Sequence, residues 1–437
     1  MFLRNRFFIL LVVVALMMAF GLLYPPLFHV GAVVLALLLA LTAVDMIWLY
    51  LGGELGVRRQ CEERFSNGED NTVTLTVNNR SAMRLGVTLL DEVPPELQER
   101  HLQWRITVGA HEQRTMTYHL RPTQRGELTF GHALAYVSTF LGLAERRFRG
   151  ARPTTVKVYP SYLMLRRLAL NPVSDRLVEQ GMKRIRRVGS NTEFEHIKEY
   201  VTGDDYRHIN WKASARRMQP MVNVYHDERS QEVYSIVDMG RTMQLAAEGM
   251  TLLDYSINAA LALSFVAINK DDQAGVATFD VHFNTLVKAS RRTGQMHRIM
   301  EALYNATTAF GESDSSELCV ALDQRLKRRS FIVLFTAFDA MNSLQRQLPY
   351  LRQISKRHRL LVVFFRDEKL RDYAASPSTD IEDYYQRVVA EKMIHERRLI
   401  ADMLQQQGIH SVLTTTHHLV VDVVNKYLEM KARRMLT

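Results

Sequence analysis

Cysteine is almost absent: Cys61 and Cys319 are the only two in 437 residues, and no CxxC occurs. A disulfide scaffold is excluded, and the scarcity fits a reducing compartment. Charge is missing from one end. Residues 1–51 hold only Arg4, Arg6 and Asp45, whereas the whole chain carries 56 Lys+Arg and 46 Asp+Glu. Such a split excludes an evenly charged globule, a disordered chain, a collagen-like repeat and a polytopic transporter. Signature motifs are missing as well. There is no GxxxxGK[ST], so the chain is not itself a P-loop ATPase; GxGxxG after a strand, HExxH and GxSxG are absent too. Nucleotide- or zinc-driven catalysis by familiar routes is not expected.

The uncharged end consists of two apolar runs. Phe7 to Tyr24 carries no charge and, as a helix, spans about 27 Å, close to the hydrocarbon thickness of a bilayer. Pro25-Pro26 breaks it. Leu27 to Leu51 is a second run, interrupted by His29 and Asp45 and ended by Gly52-Gly53. We read residues 1–53 as a transmembrane helical hairpin. A cleaved signal peptide fits less well, because a second long run follows and no small-x-small cleavage site intervenes. Arg4 and Arg6 precede the hairpin and Arg58, Arg59 and Arg64 follow it, while the Pro-Pro turn has no positive charge. The positive-inside rule then places both ends, and the body, in the cytoplasm. Asp45, beside Trp48 and Tyr50, is expected at the interface or in a helix contact.

Residues 56–160 read as β. Thr72 to Val77 alternates polar and apolar, and so do Gln103 to Val108 and Arg114 to Leu120. With Leu85 to Leu90, Ala133 to Val137 and Thr155 to Tyr159, these short strands predict an immunoglobulin-like β-sandwich module. It holds no catalytic constellation, and a spacer or docking role is expected. Residues 161–229 read as a linker and motif segment. Its basic run Lys183 to Arg187 suits proximity to anionic lipid. No aromatic platform or DNA-reading motif accompanies it, so the net charge of +10 does not imply nucleic acid.

From residue 230 the pattern is α/β. Val233–Val237, Gly275–Phe279, Phe331–Phe335 and Leu360–Phe365 are predicted buried strands, interleaved with predicted helices such as Leu252–Ile268 and Ile381–Gln407. The alternation predicts a doubly wound, mostly parallel sheet over 230–437, with ligands at the strands' carboxyl ends.

One strand runs into Asp238-Met239-Gly240-Arg241-Thr242. This resembles the first loop of the von Willebrand factor A domain, where D-x-S-x-S holds a divalent cation with help from a loop threonine and a later aspartate. The resemblance implies Mg²⁺ at Asp238, Thr242 and Asp339, with an open position for a partner's carboxylate. Gly240 replaces the middle serine and Asp339 lies two residues late, which weakens the ligand set; Thr293 is a candidate for the loop threonine. A hard cation needs oxygen ligands in octahedral array.

A longer stretch runs from Glu199 to Arg216 and includes Gly203-Asp204-Asp205-Tyr206-Arg207-His208-Ile209-Asn210-Trp211. It resembles the hallmark of the bacterial domain-of-unknown-function family numbered 58, and the resemblance extends over the whole chain. It implies a bacterial inner-membrane protein that is not an enzyme. Such a protein would be an adaptor for a separate MoxR-type AAA+ ATPase, assisting assembly or activation of a client protein. From the residues themselves, Asp204 or Asp205 is expected to cap a helix, Arg207 and Arg216 to pair with Asp204, Asp205 or Glu228, and Trp211 to anchor the segment. The alternatives are a structural scaffold of the cell envelope, or an envelope hydrolase using Asp204, Asp205 and His208. His417-His418 lacks metal-ligand company.

Overall fold

The apolar end folds as two antiparallel helices in a computed structural model. The structure describes residues 2–21, 23–51, 54–99, 102–165, 192–201, 204, 206–227, 230–377, 380–433 and 435–436, without the side chains of 192–196, 207 and 224–227. The basic run at 183–187, Gly203, Asp205 and Glu228 lie outside the described residues, as does the Arg207 side chain. Two compact units result, Met1–Leu163 and Met164–Thr437.

In the first unit α1 is Asn5–Gly21 and α2 is Pro25–Leu51. Pro25 and Pro26 open α2 in its first turn, where the missing N–H groups cost nothing. A Cβ on Gly21 would lie 2.6 Å from the Phe28 backbone nitrogen, so glycine permits the tight return. At 27 residues α2 is long and apolar enough to cross a membrane. The helix Leu252–Asn269 passes the same length and composition test, but it is the buried core helix of the second unit.

The hairpin does not stand apart from the β module. β1 (Phe2–Leu3) precedes α1 and pairs antiparallel with β10 (Ala144–Arg149). It forms the edge of a five-stranded sheet that continues through β9 (Ala133–Ser138), β5 (Leu85–Asp91) and β6 (Gln103–Val108). A second sheet has β4 (Asn71–Asn79) between β2 (Leu55–Cys61) and β7 (Gln113–Leu120). A third has β11 (Thr154–Tyr159) between β3 (Arg64–Ser66) and β8 (Gly126–Phe130). All three contribute to one apolar core that includes Phe65, Leu75, Leu89, Tyr118 and Phe130. The period-two pattern of β4 is the physical cause: every second side chain is buried. Arg59 of β2 and Tyr118 of β7 both bond the carboxylate of Asp91, at the end of β5. This buried ion pair ties one sheet to another. Burial and the Asp91 charge push the Tyr118 phenol well above its usual range, so it stays a donor.

In the second unit β12 (Thr192–Glu199) and β13 (Met221–Asp227) form an antiparallel hairpin around the helix Trp211–Arg217. This segment reads as linker in the sequence because a bulge between Phe194 and His196 breaks the alternation. The main sheet begins with β14 (Glu232–Asp238); a two-residue hairpin, β15 (Ala246–Ala247) and β16 (Met250–Thr251), follows. The other strands are β17 (Gln273–Phe279), β18 (Phe283–Ser290), β19 (Phe331–Phe335), β20 (Arg359–Phe365) and β21 (His410–Thr414). Their order is β18-β17-β14-β19-β20-β21, parallel except for β18. Separate cores cover the two faces. One is built on Leu252–Asn269 and Leu419–Ala432, the other on Ser315–Arg325, Met341–Arg357 and the end of Ile381–Gln406. The chain leaves β14 for β17 on one side and later returns to β19 on the other, so a crevice opens between β14 and β19 at their carboxyl ends.

Candidate functional site

β14 is apolar and buried along its length, and it delivers Asp238 to that crevice with 2% of its surface exposed. The carboxylate accepts from the Gly240 backbone N–H at 2.8 Å, from the Ser313 hydroxyl, and from the Thr336 hydroxyl at 2.7 Å. Thr336 directly follows β19, so its bond to Asp238 bridges the switch point. Burial pushes the Asp238 carboxyl above the usual range; the three donors oppose that shift and the charge of Asp280 adds to it.

Ser313 is the residue that sequence reasoning missed. It lies in a loop stitched along the turn after β14. The Arg241 N–H donates to the Gly311 carbonyl at 2.8 Å, and the Thr308 hydroxyl to the Met239 carbonyl at 2.8 Å. A Cβ on Gly240 would lie 1.8 Å from the Ser313 Oγ. The hydroxyl absent from position 240 is thus supplied in space by a serine far along the chain. The only sequence signal is the polar run Ser313-Asp314-Ser315-Ser316, where Asp314 caps the next helix.

Asp238, Thr242 and Asp339 all line one recess of about 520 Å³, together with Arg241, Ser313 and Arg346. Asp339 is more than half exposed and faces Arg241 at 3.9 Å. Arg346 faces Glu312 at 3.4 Å. Thr293 stands in an exposed turn and does not line the recess. The donor chemistry suits a hard cation: one buried carboxylate whose hydroxyl partners, Ser313 and Thr336, keep lone pairs free. Among the described residues no cluster of three or more His, Cys, Asp or Glu forms a denser ligand set. Arg241 competes for Asp339.

The Glu199–Arg216 segment is arranged differently from expectation. Asp204 accepts from Lys198 Nζ at 2.9 Å and from the Val201 N–H at 3.0 Å, and Lys198 holds its carboxyl below the usual range. Its partner is therefore a strand lysine rather than Arg216, which is exposed. Trp211 is 75% exposed and does not anchor the segment. The anchors are small polar residues. Asn210 caps the helix through the Ala213 N–H at 3.0 Å and bonds Asn223 at 2.9 Å, and Ser214 accepts from the Met221 N–H at 2.8 Å. Asp204 is thus engaged structurally, and His208 lies in the short turn after it. His417 pairs with Glu248 at 2.8 Å on the surface.

Residues 196–408 match the family model described as "Protein of unknown function DUF58". Among curated proteins, 179 residues align at 26% identity with an uncharacterized protein of Mycobacterium tuberculosis, covering 40% of this chain and 55% of that protein. Over 131 residues the chain aligns at 30% identity with the uncharacterized protein YeaD of Bacillus subtilis, covering 28% of this chain and 31% of that protein. The chain thus spans about half the length of the first relative, at 55%. Among solved structures, BatB from Bacteroides thetaiotaomicron is similar with a TM-score of 0.31 and 11% identity, over 47% of this chain and 100% of that one. The CARDB domain of a Pyrococcus furiosus protein is similar with a TM-score of 0.19 and 16% identity, over 25% of this chain and 90% of that one.

Proposed function

We propose that this chain is a membrane-anchored protein-interaction adaptor that works with a separate MoxR-type AAA+ ATPase in assembling or activating client proteins. The anchor is the α1–α2 hairpin, in the inner membrane of a bacterium with the body in the cytoplasm. The β module has the immunoglobulin-like plan and the second unit the von Willebrand A-like plan. The observation that carries this reading is the recess at the switch point. It is open and polar, and its rim holds Arg241, Arg346, Glu312 and Asp339 in exposed ion pairs that a partner can exchange for its own. The ATPase partner comes from the family resemblance, and the missing P-loop agrees with a separate motor subunit.

Mg²⁺ belongs to the same proposal. Asp238, with Ser313 and Thr336, would hold it, and Thr242 lines the same recess. When bound, the ion supplies an open coordination position for a partner's carboxylate. Isolation of the full chain from native membranes tests the reading: an AAA+ ATPase should co-purify, and Asp238→Ala should deplete it while the adaptor's abundance stays unchanged. Recovery of the adaptor with no ATPase of that class would overturn it. Titration calorimetry with Mg²⁺ tests the ion separately; heat in the wild type that is lost in Asp238→Asn is expected.

A further inference from the structure

The loop between β9 and β10 is fastened to the helical hairpin from several sides. Asp45 of α2 is fully buried, and its carboxylate accepts from the Thr139 hydroxyl, the Leu143 N–H at 3.1 Å and the Ala144 N–H at 2.9 Å. The Arg4 N–H donates to the Leu143 carbonyl at 2.9 Å, and Arg4 Nη1 to Ser138 Oγ at 3.0 Å. Arg146 donates to the last carbonyls of α2, Leu49 at 3.0 Å and Tyr50 at 3.2 Å. Leu141 and Leu143 join Phe7, Leu11 and Leu38 in one apolar cluster.

Two large side chains remain outside this fastening. Phe140 is 71% exposed at the loop tip, and Trp48 of α2, 46% exposed, lies with its ring centroid 6.2 Å away. Their patch continues the exposed apolar flank of α2 at Val44, Ile47 and Leu51. The loop also sits at a definite depth. From Pro25 to Asp45 the helix rises about 30 Å, the thickness of a hydrocarbon core, so Asp45 falls at the boundary. Positive charge gathers at that level. Gly142, at φ 65°, brings the loop backbone against the guanidinium groups of Arg4 and Arg6, and Arg146 lies over the Tyr50 ring at 5.3 Å.

We propose that the loop Thr139–Leu143 is a third membrane-contacting element: Phe140 and Trp48 lie among the headgroup-proximal segments of the acyl chains, and Arg4, Arg6 and Arg146 face anionic headgroups. The occupant of this patch is the bilayer, because the patch is continuous with the lipid-facing helix and the surrounding charge suits an anionic leaflet. The inference rests on the reading of α1–α2 as a membrane hairpin. It makes the β module an interfacial domain with its orientation set by Asp45.

The test uses the full chain in vesicles of phosphatidylcholine and phosphatidylglycerol. In a Cys61→Ala, Cys319→Ala background, single cysteines at Phe140, at Leu37 in mid-α2 and at Asp70 in an exposed turn carry an environment-sensitive fluorophore. The label at 140 should lose most of its emission to a shallow nitroxide-bearing lipid and little to aqueous iodide, and the label at 70 the reverse. If 37 is quenched from lipid while 140 is quenched by iodide as fully as 70, the loop is not embedded and the hairpin reading survives. If 37 itself is quenched by iodide, the hairpin reading fails and this inference with it.

Discussion

A buried carboxylate and a glycine beside it set the character of the recess. Gly240 is not a conformational necessity, since its φ is −76°; it is a spatial one, because Ser313 fills the place of a side chain. Gly240→Ala should therefore destabilise the protein by about 1–3 kcal/mol through overpacking. Adding Ser313→Gly should recover part of that loss, read as a non-additive double-mutant cycle in denaturant melts. Equal losses in the two Gly240→Ala backgrounds would sink the packing argument. Asp238 yields a pH dependence. Burial raises its folded-state pKa, so the stability of the protonated form is fully present below the ordinary carboxylate range and is lost as pH rises through the raised value. The stability of the wild type relative to Asp238→Asn should accordingly fall as pH rises from about 4 toward neutrality. A difference that is flat with pH would contradict the desolvation account.

At the scale of elements, the hydrogen bonds of Asp45 decide how a helix and a β-loop are joined. Losing the acceptor for two buried N–H groups and a hydroxyl should cost roughly 2–4 kcal/mol. Asp45→Ala in detergent should melt earlier, and amide exchange should accelerate first at Leu143 and Ala144. Uniform exchange across the β module would point to global destabilisation instead. The β10 strand shows why this junction was hidden in the sequence. Ala-Glu-Arg-Arg-Phe-Arg has no apolar alternation, and its strand character comes from pairing with β9 and with the β1 segment far away in the chain. Likewise the helix Trp211–Arg217 is held by Asn210 and Ser214, whose small polar side chains carry little signal, while Trp211 draws attention and stands in solvent.

On the scale of the molecule, the division after Leu163 has a direct consequence. Among the described residues, the second unit has two apolar cores of its own, one on each face of its sheet. A fragment covering residues 164–437 should be expressed as a soluble protein with a single cooperative thermal transition. The fragment 1–163 should require detergent, because the flanks of α1 and α2 expose Phe8, Val12, Val33 and Leu37. Aggregation of 164–437 without a cooperative transition would show that the division is not one of folding.

The sequence by itself determined the apolar hairpin, the β character of the following module and the alternating α/β order of the last part. Each of these follows from the period and length of local apolar patterns. It also located Asp238, because a buried strand that ends in a carboxylate is a local event. Tertiary structure alone decided which residues meet that carboxylate. Ser313 and Thr336 come from separate loops, and only the strand order β14-β19 brings them together. It alone decided that Asp45 joins a helix to a loop 94 residues away. A long-range partner leaves no periodicity in the chain, because its position is fixed by the closure of sheets and not by the residues beside it.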